Sequence, residues 1–188
     1  MFDTAWLVAF DSTVGGFLHA LRTPALTGFF YGCTLLANTG TIVALMAVVV
    51  LGLAARRRLA EALFVLAVVA GGEAISVTVK FTLARVRPAA SNELITLPGD
   101  PAFPSGHAIA ALLLYGAIAF LLARAAHTRG ARVAIAAVGA AVILLVGLSR
   151  VYLGVHWPSD VVGAWMIGGA WLAACAFAYR RWRASHCA

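Results

Sequence analysis

Three ionisable side chains interrupt an otherwise apolar region in SRVYLGVHWPSD, residues 149–160: Arg150, His156 and Asp160. Asp160 follows His156 by four residues, close enough for its carboxylate to hydrogen-bond one ring nitrogen. Such a bond fixes the imidazole tautomer and leaves the other nitrogen as a nucleophile or base. Taken alone, Asp160 also fits the preference of acids for the first turn of a helix, and Trp157 fits an ordinary place at a membrane interface.

Anion-binding residues occupy a second segment, KFTLARVRP, residues 80–88. Lys80 and Arg87 are seven residues apart, about two turns, so on a continuing helix both face the same way. Pro88 then ends the helix or turns the chain away. Lys80 is the only lysine of the chain, and an ammonium binds phosphate as a point charge where arginine presents a planar fork. The alternative is that these cations snorkel to a membrane edge, which explains Arg85 well and the single lysine poorly.

The third segment is FPSGHA, residues 103–108, at the start of an apolar run. Pro104 suits the first turn of a helix, and the N–H groups of Ser105, Gly106 and His107 would then point outward to form an anion site. Gly106 allows close backbone approach, and His107 adds a proton donor near neutral pH. The less favoured alternative for the segment alone is a capping Ser-Gly beside an incidental histidine.

Hydrophobic helices must position these residues. The chain has 188 residues, 63% hydrophobic and 11% charged, with a mean hydropathy of +0.95. A soluble domain is nearer half apolar and a quarter charged, so the composition predicts one all-α domain, a polytopic transmembrane helix bundle. A span needs about 20 apolar residues. Five segments meet this requirement, with residues 180–188 left as a cytoplasmic tail: 38–55, 59–79, 105–123, 132–149 and 160–179.

Residues 1–37 predict a short span or an interfacial helix, because Asp11, His19 and a glycine pair interrupt their apolar run. No basic residue precedes that run, so the pattern does not favour a signal peptide. The net charge of +7 comes from short arginine clusters and not from a basic stripe interleaved with aromatics, which argues against nucleic acid as a partner. The cysteines lack metal-ligand spacing and are interpreted as small core residues and a free thiol: Cys33, Cys175 and Cys187.

The distribution of arginines orients the bundle. If the five helices alternate, nine cations fall on one side, which the positive-inside rule makes cytoplasmic. The other side, outside or periplasmic in a bacterial inner membrane, receives Arg22, Lys80, Arg85, Arg87 and Arg150. Three cations, a helix N-terminus and two histidines on that side form a site for phosphoryl transfer, in which one histidine attacks phosphorus and the other protonates the leaving oxygen. That side has no carboxylate cluster for Mg²⁺, so we expect no metal and no cofactor.

The three segments contain complete Lys-x6-Arg-Pro, Pro-Ser-Gly-His and Ser-Arg-x5-His-x3-Asp patterns, at 80–88, 104–107 and 149–160. In these the chain resembles the membrane-bound type 2 phosphatidic acid phosphatase family, whose fold core is shared with vanadium-dependent haloperoxidases. The resemblance covers roughly residues 38–179. It implies that His156 forms a phosphohistidine, that Asp160 orients it, and that His107 protonates the leaving group. The phosphate-binding residues it implies are Lys80, Arg87, Ser105, Gly106 and Arg150.

The resemblance further implies metal-independent hydrolysis of a membrane lipid phosphate, such as undecaprenyl diphosphate, phosphatidylglycerophosphate or phosphatidic acid. The same residues would serve a lipid phosphotransferase, and a non-catalytic anionic-lipid binding or transport protein is a further alternative. A transporter would show helices broken at mid-membrane, as at Gly71-Gly72 or Gly168-Gly169, although such glycines more often permit close packing. Glu73, within a predicted span, either pairs with a polar group of the bundle or lines a path for the lipid head group. The oligomeric state does not follow from the sequence.

Overall fold

The structure is a computed structural model of the chain and describes residues 5–88, 93–96 and 99–186. These residues form seven helices and no strand: α1 Ala5–Ala20, α2 Pro24–Leu35, α3 Thr39–Ala55, α4 Leu59–Leu83, α5 Gly106–Ala125, α6 Arg129–Tyr152 and α7 Pro158–His186.

Four helices, α4 to α7, are long and apolar enough to cross a membrane. As a pair bent by 46°, α2 and α3 pass the same test, which brings the described chain to the five predicted spans. The predicted all-α transmembrane bundle is therefore confirmed. The span expected at 38–55 corresponds to α3, and the one at 160–179 is the middle of a longer helix, because α7 continues through residues 180–186 of the expected tail.

The N-terminal helix α1 lies across one end of the bundle. Asp11, near its middle, accepts a hydrogen bond from the N–H of Ser159 at the start of α7 (2.8 Å). His19, in its last turn, lies 3.1 Å from the carbonyl oxygen of Val151 at the end of α6. Trp6 and Phe17 remain exposed on α1. Contacts with one end of the bundle together with exposed aromatics favour the interfacial helix over the short span.

Close packing around α5 forms the core. Ile109, Leu113 and Leu114 of α5 are fully buried, as is Val65 on α4. At Gly72 an added Cβ would lie 2.4 Å from Leu113 Cδ1, so the absence of a side chain lets α4 and α5 approach. Both glycine pairs lie inside continuous helices, α4 and α7, so the helix breaks that a transporter predicts are not found at those positions.

Helix direction gathers the three sequence patterns at one end of the bundle, which we call the site end. The C-terminal ends of α4 and α6 carry Lys80 and Arg150, and the N-terminal ends of α5 and α7 carry His107 and Asp160. Between α6 and α7 the chain reverses at Gly154, whose φ of 80° lies in the left-handed region that favours glycine. This turn brings His156 back over the end of α6.

Candidate active site

A cavity of about 530 Å³ opens at the site end. Its polar walls bring together six of the eight predicted site residues: Lys80, Arg87, Gly106, His107, Arg150 and His156. The other two, Ser105 and Asp160, are fully buried beside it. Residues from three segments of the sequence thus meet around one space large enough for a phosphate group.

His156 and Asp160 form the predicted pair. The imidazole Nδ1 lies 3.4 Å from Asp160 Oδ2, which also accepts the backbone N–H of Trp157 (2.9 Å). On the opposite edge of the ring, Arg87 Nη1 lies 3.1 Å from His156 Nε2. Because a guanidinium only donates, Nε2 is the acceptor and the ring proton belongs on Nδ1, facing Asp160. The nitrogen that carries the lone pair is therefore Nε2, which accepts from Arg87, another residue of the cavity wall.

His156 is 4% exposed, and this burial sets its charge state. Burial lowers its pKa to about 4, although the hydrogen bond to Asp160 acts in the opposite direction, and the positive charges of Arg87 and Arg150 lower the pKa further. At neutral pH the imidazole is consequently unprotonated, as a nucleophile must be.

Lys80 and Arg87 converge by a different route from the predicted one. The prediction that the helix continues to Arg87 is wrong, since α4 ends at Leu83. Ala84 adopts the left-handed conformation (φ 45°) and donates its N–H to the Lys80 carbonyl. The chain then leaves the helix four residues before Pro88, and Arg87 reaches the cavity from a segment without regular secondary structure.

Asp100, which the sequence patterns did not single out, holds both cations. Its Oδ2 accepts from Lys80 Nζ (2.6 Å) and its Oδ1 from Arg87 Nη2 (2.7 Å). Partial burial raises its pKa, but the hydrogen bonds and charges of Lys80 and then of Arg87 outweigh this and hold the pKa below its usual range. Asp100 is therefore ionised at neutral pH. No group of three or more His, Cys, Asp or Glu side chains in the described part of the chain is placed to hold a metal ion.

Arg150 is buried, 2% exposed, at the end of α6. Its Nη1 donates to Thr34 Oγ1 (2.5 Å) on α2, and its Nε finds no hydrogen-bond partner among the described residues. A buried guanidinium is costly unless its donors and its charge are satisfied. A phosphate oxygen in the cavity would satisfy both.

The start of α5 differs in one respect from the predicted anion cradle. Ser105 is the N-cap residue, and its backbone N–H donates to the Asp160 carbonyl (3.2 Å) instead of pointing into the cavity. Its buried Oγ has no hydrogen-bond partner among the described residues. The cavity-lining part of this helix end is Gly106 and His107.

Arg85 is an active-site neighbour, so its interpretation as a snorkelling cation is wrong. Its Nη1 donates to Asp160 Oδ1 (2.5 Å) and Ser159 Oγ (2.7 Å), and its Nη2 to Asp11 Oδ2 (2.6 Å). Trp157 is also more than an interfacial aromatic, since its indole donates to the Val86 carbonyl (3.1 Å) and secures the segment that carries Arg85 and Arg87.

The opposite wall of the cavity is apolar and comes from α3 and α4, with Ile42, Met46 and Val69 among its residues. Glu73 lies in this wall and makes no hydrogen bond or ion pair within the described ranges. Of the two interpretations of Glu73, the structure favours a lining residue over a paired one.

Helices long enough to cross a bilayer, around a cavity with two histidines and three cations, define an integral membrane protein equipped for phosphoryl chemistry. The chain belongs to the PAP2 superfamily, whose family model matches residues 58–184. The resemblance drawn from the three sequence patterns is thereby confirmed.

Relatives and solved structures support the same family assignment. Phosphatidylglycerophosphatase B of Bacillus subtilis (strain 168) is 30% identical over 159 residues, 84% of this chain and 77% of the relative. Undecaprenyl-diphosphatase of Sulfolobus acidocaldarius is 34% identical over 113 residues, 58% of this chain and 48% of the relative. The crystal structure of the first transmembrane PAP2 type phosphatidylglycerolphosphate phosphatase from Bacillus subtilis superposes with a TM-score of 0.86 at 25% identity, covering 95% of this chain and 89% of that one.

The crystal structure of Aquifex aeolicus LpxE shares the fold, with a TM-score of 0.67 at 21% identity over 90% of this chain and 93% of that one. Together with the family match and the site, these relatives make the chain an enzyme, a lipid phosphatase of the PAP2 superfamily.

Proposed function

We propose that the enzyme removes the terminal phosphate of a lipid phosphate or diphosphate through a phosphohistidine on His156, without a metal ion, at the outer face of a bacterial inner membrane. The lipid would be of the undecaprenyl diphosphate or phosphatidylglycerophosphate type, as the names of the relatives suggest, or of the phosphatidic acid type, as the family resemblance implies. One observation carries the proposal: a single cavity joins two histidines and three cations at one wall to apolar side chains at the other.

The phosphate would bind between Lys80, Arg87 and Arg150. These cations neutralise the charge on its equatorial oxygens, which is the task that Mg²⁺ performs in other phosphotransfer enzymes. Gly106 permits close approach of the oxygens to the start of α5, and the buried Oγ of Ser105 supplies a further donor. The apolar wall of α3 and α4 would receive the first part of the lipid chain.

In the first step, Nε2 of neutral His156 attacks phosphorus and forms an N–P bond, while the P–O bond to the lipid breaks. His107 donates its proton to the leaving oxygen, which departs as a lipid alcohol, or as a lipid monophosphate if the substrate is a diphosphate. In the second step, water attacks phosphorus and forms an O–P bond while the His156 Nε2–P bond breaks. Neutral His107 accepts the water proton, His156 is regenerated, and inorganic phosphate leaves.

Arg87 must change partner for this attack to occur. Its Nη1 donates to the same Nε2 that becomes the nucleophile. A phosphate oxygen is a stronger acceptor than an imidazole, so the substrate would take over this N–H and expose the lone pair. Binding of the phosphate and activation of His156 would thus be coupled.

The outer orientation is supported by charge, since the ends of α3, α5 and α7 remote from the site carry most of the arginines. Cleavage of a lipid phosphate supplied only to the outside of right-side-out membrane vesicles tests this orientation. Activity confined to the inside would refute it.

The central experiment is phosphate release by detergent-purified protein from a panel of the three lipids, with EDTA present. We expect release to survive EDTA, to disappear in His156→Ala and to persist in His127→Ala, an exposed histidine at the opposite end of the bundle. Acid quenching during turnover should trap an acid-labile phosphoprotein in the parent and not in His156→Ala. Loss of activity in EDTA, or turnover by His156→Ala, would refute the mechanism.

A further inference from the structure

A buried carboxylate on α1 lies next to the catalytic pair. Asp11 is 3% exposed, and its two oxygens accept three hydrogen bonds: Oδ1 from the Ser159 N–H (2.8 Å), and Oδ2 from Ser159 Oγ (2.7 Å) and Arg85 Nη2 (2.6 Å). A buried carboxylate with this many donors is fixed in position.

The same guanidinium continues to the active site. Through Nη1, Arg85 donates to Asp160 Oδ1 (2.5 Å), while the second oxygen of Asp160 faces His156 Nδ1 (3.4 Å). Asp160 is fully buried, so its orientation depends on these partners and on the Trp157 N–H. The continuous series of contacts is Asp11, Arg85, Asp160 and His156.

We propose that Asp11 and Arg85 are positioning residues for the nucleophile. Asp11 holds one side of the Arg85 fork, and the other side fixes the Asp160 carboxylate in the rotamer that presents Oδ2 to His156. This inference rests on the proposed role of His156 and adds α1 to the active site, although α1 lies outside the region matched by the family model, residues 58–184.

Two features indicate that Asp11 positions the Arg85 and Asp160 side chains and does not merely attach α1 to the bundle. First, α1 is attached independently, because His19 contacts Val151 and Arg22 donates to the Tyr152 carbonyl through Nη2 (2.7 Å). Second, Asp11 bonds a side chain that itself bonds Asp160, whereas attachment would need only the Ser159 N–H. Removing the Asp11 charge should therefore affect the rate of chemistry more than the folding of the protein.

The test is a double-mutant cycle on the full-length, detergent-purified enzyme: Asp11→Asn, Asp160→Asn and the two together. A misplacement of about 1 Å can cost about 10²-fold in rate, so we expect Asp11→Asn to lower kcat by about 10- to 100-fold with KM little changed. In the Asp160→Asn background the same substitution should have no further effect, because its route to His156 is already lost. Ser12→Ala, one residue along α1 with an exposed hydroxyl, is the matched control and should keep parental activity.

Rapid-quench phosphorylation separates positioning from partial unfolding. Positioning predicts a parental amount of phosphoenzyme formed more slowly, whereas partial unfolding predicts less phosphoenzyme at the parental rate. If Asp11→Asn does not fold, Arg85→Lys, which keeps the charge and loses the fork, is measured instead with the same expectation. A parental rate, or losses that add to those of Asp160→Asn, would overturn the inference. The failure of the proposed function is separately visible, as turnover by His156→Ala.

Discussion

Asp160→Asn isolates the part of the mechanism that the geometry specifies most fully. Asp160 Oδ1 accepts from Arg85, and Oδ2 accepts from the Trp157 N–H and faces His156 Nδ1. Asparagine has the same shape but only one oxygen, and both Arg85 and the Trp157 N–H can only donate. Because the charged guanidinium is the stronger donor, we expect the amide oxygen to turn toward Arg85. The amide NH₂ then faces Nδ1.

That orientation reverses the tautomer of His156. An NH₂ group donates to an unprotonated Nδ1, which moves the ring proton to Nε2 and removes the lone pair that attacks phosphorus. In serine proteases the corresponding Asp-to-Asn change costs about 10⁴-fold in kcat through the wrong tautomer. Because the 3.4 Å contact here is long, we expect a smaller loss of about 10³-fold, equivalent to about 4 kcal/mol in the barrier.

The assay is single-turnover phosphorylation followed by rapid quench, with thermal unfolding in detergent measured in parallel. Asp160→Asn should form phosphoenzyme about 10³-fold more slowly. Its unfolding temperature should fall only moderately, since the side-chain volume is kept while the Trp157 N–H loses its acceptor. Asp160→Ala is the contrast, because it also leaves Arg85 with one fewer partner and should lower the unfolding temperature. A rate for Asp160→Asn within about threefold of the parent would refute the tautomer argument, since the expected loss is about 10³-fold.

Three further predictions follow from the site. Because burial lowers the pKa of His156 to about 4, protonation should inactivate the nucleophile only below that pH. The pH profiles of kcat/KM for two lipids with different phosphate pKa values should therefore both fall on the acid side near pH 4. A fall near pH 6.5 for both lipids would contradict the buried imidazole. Arg87→Lys keeps the charge but loses the planar fork, whose Nη1 reaches His156 and whose Nη2 reaches Asp100. We expect kcat/KM measured by phosphate release to fall about 10- to 100-fold, and an unchanged value would show that the fork is dispensable. Glu73→Gln should leave yield and thermal midpoint unchanged and lower KM by at most about fivefold, because negative charge in the cavity wall about 10 Å from Lys80 along α4 repels the phosphate. Unchanged yield, stability and turnover together would remove both interpretations of Glu73.

The local chemistry of the site could be predicted from the sequence because it depends on residue type and short spacing. His156 and Asp160 are four residues apart, and a helix that begins between them brings the two side chains into contact whatever the rest of the fold. Long apolar runs likewise predicted the spans, since a bilayer requires a minimum length regardless of packing. Helix alternation then placed the three patterns at the same end of the bundle.

The surroundings of the site depended on contacts between distant parts of the chain. Arg85 meets Asp160 across 75 positions, and Asp11 meets Ser159 across 148. No periodicity in the sequence connects such residues. The left-handed conformation that turns the chain out of α4 falls on Ala84, so no glycine in the sequence marks it. Asp11 becomes a partner of Arg85 and Ser159 only because α1 packs across the site end.

The sequence by itself therefore determined the membrane bundle, the set of side chains that line the candidate site and the end of the bundle at which they meet, because hydrophobic length and local spacing are properties of the chain. The tertiary structure alone decided which groups hold those side chains in place. Asp100 between two cations and Arg85 between two carboxylates are set by the path of the backbone between helices, where a few dihedral angles determine which charges become neighbours.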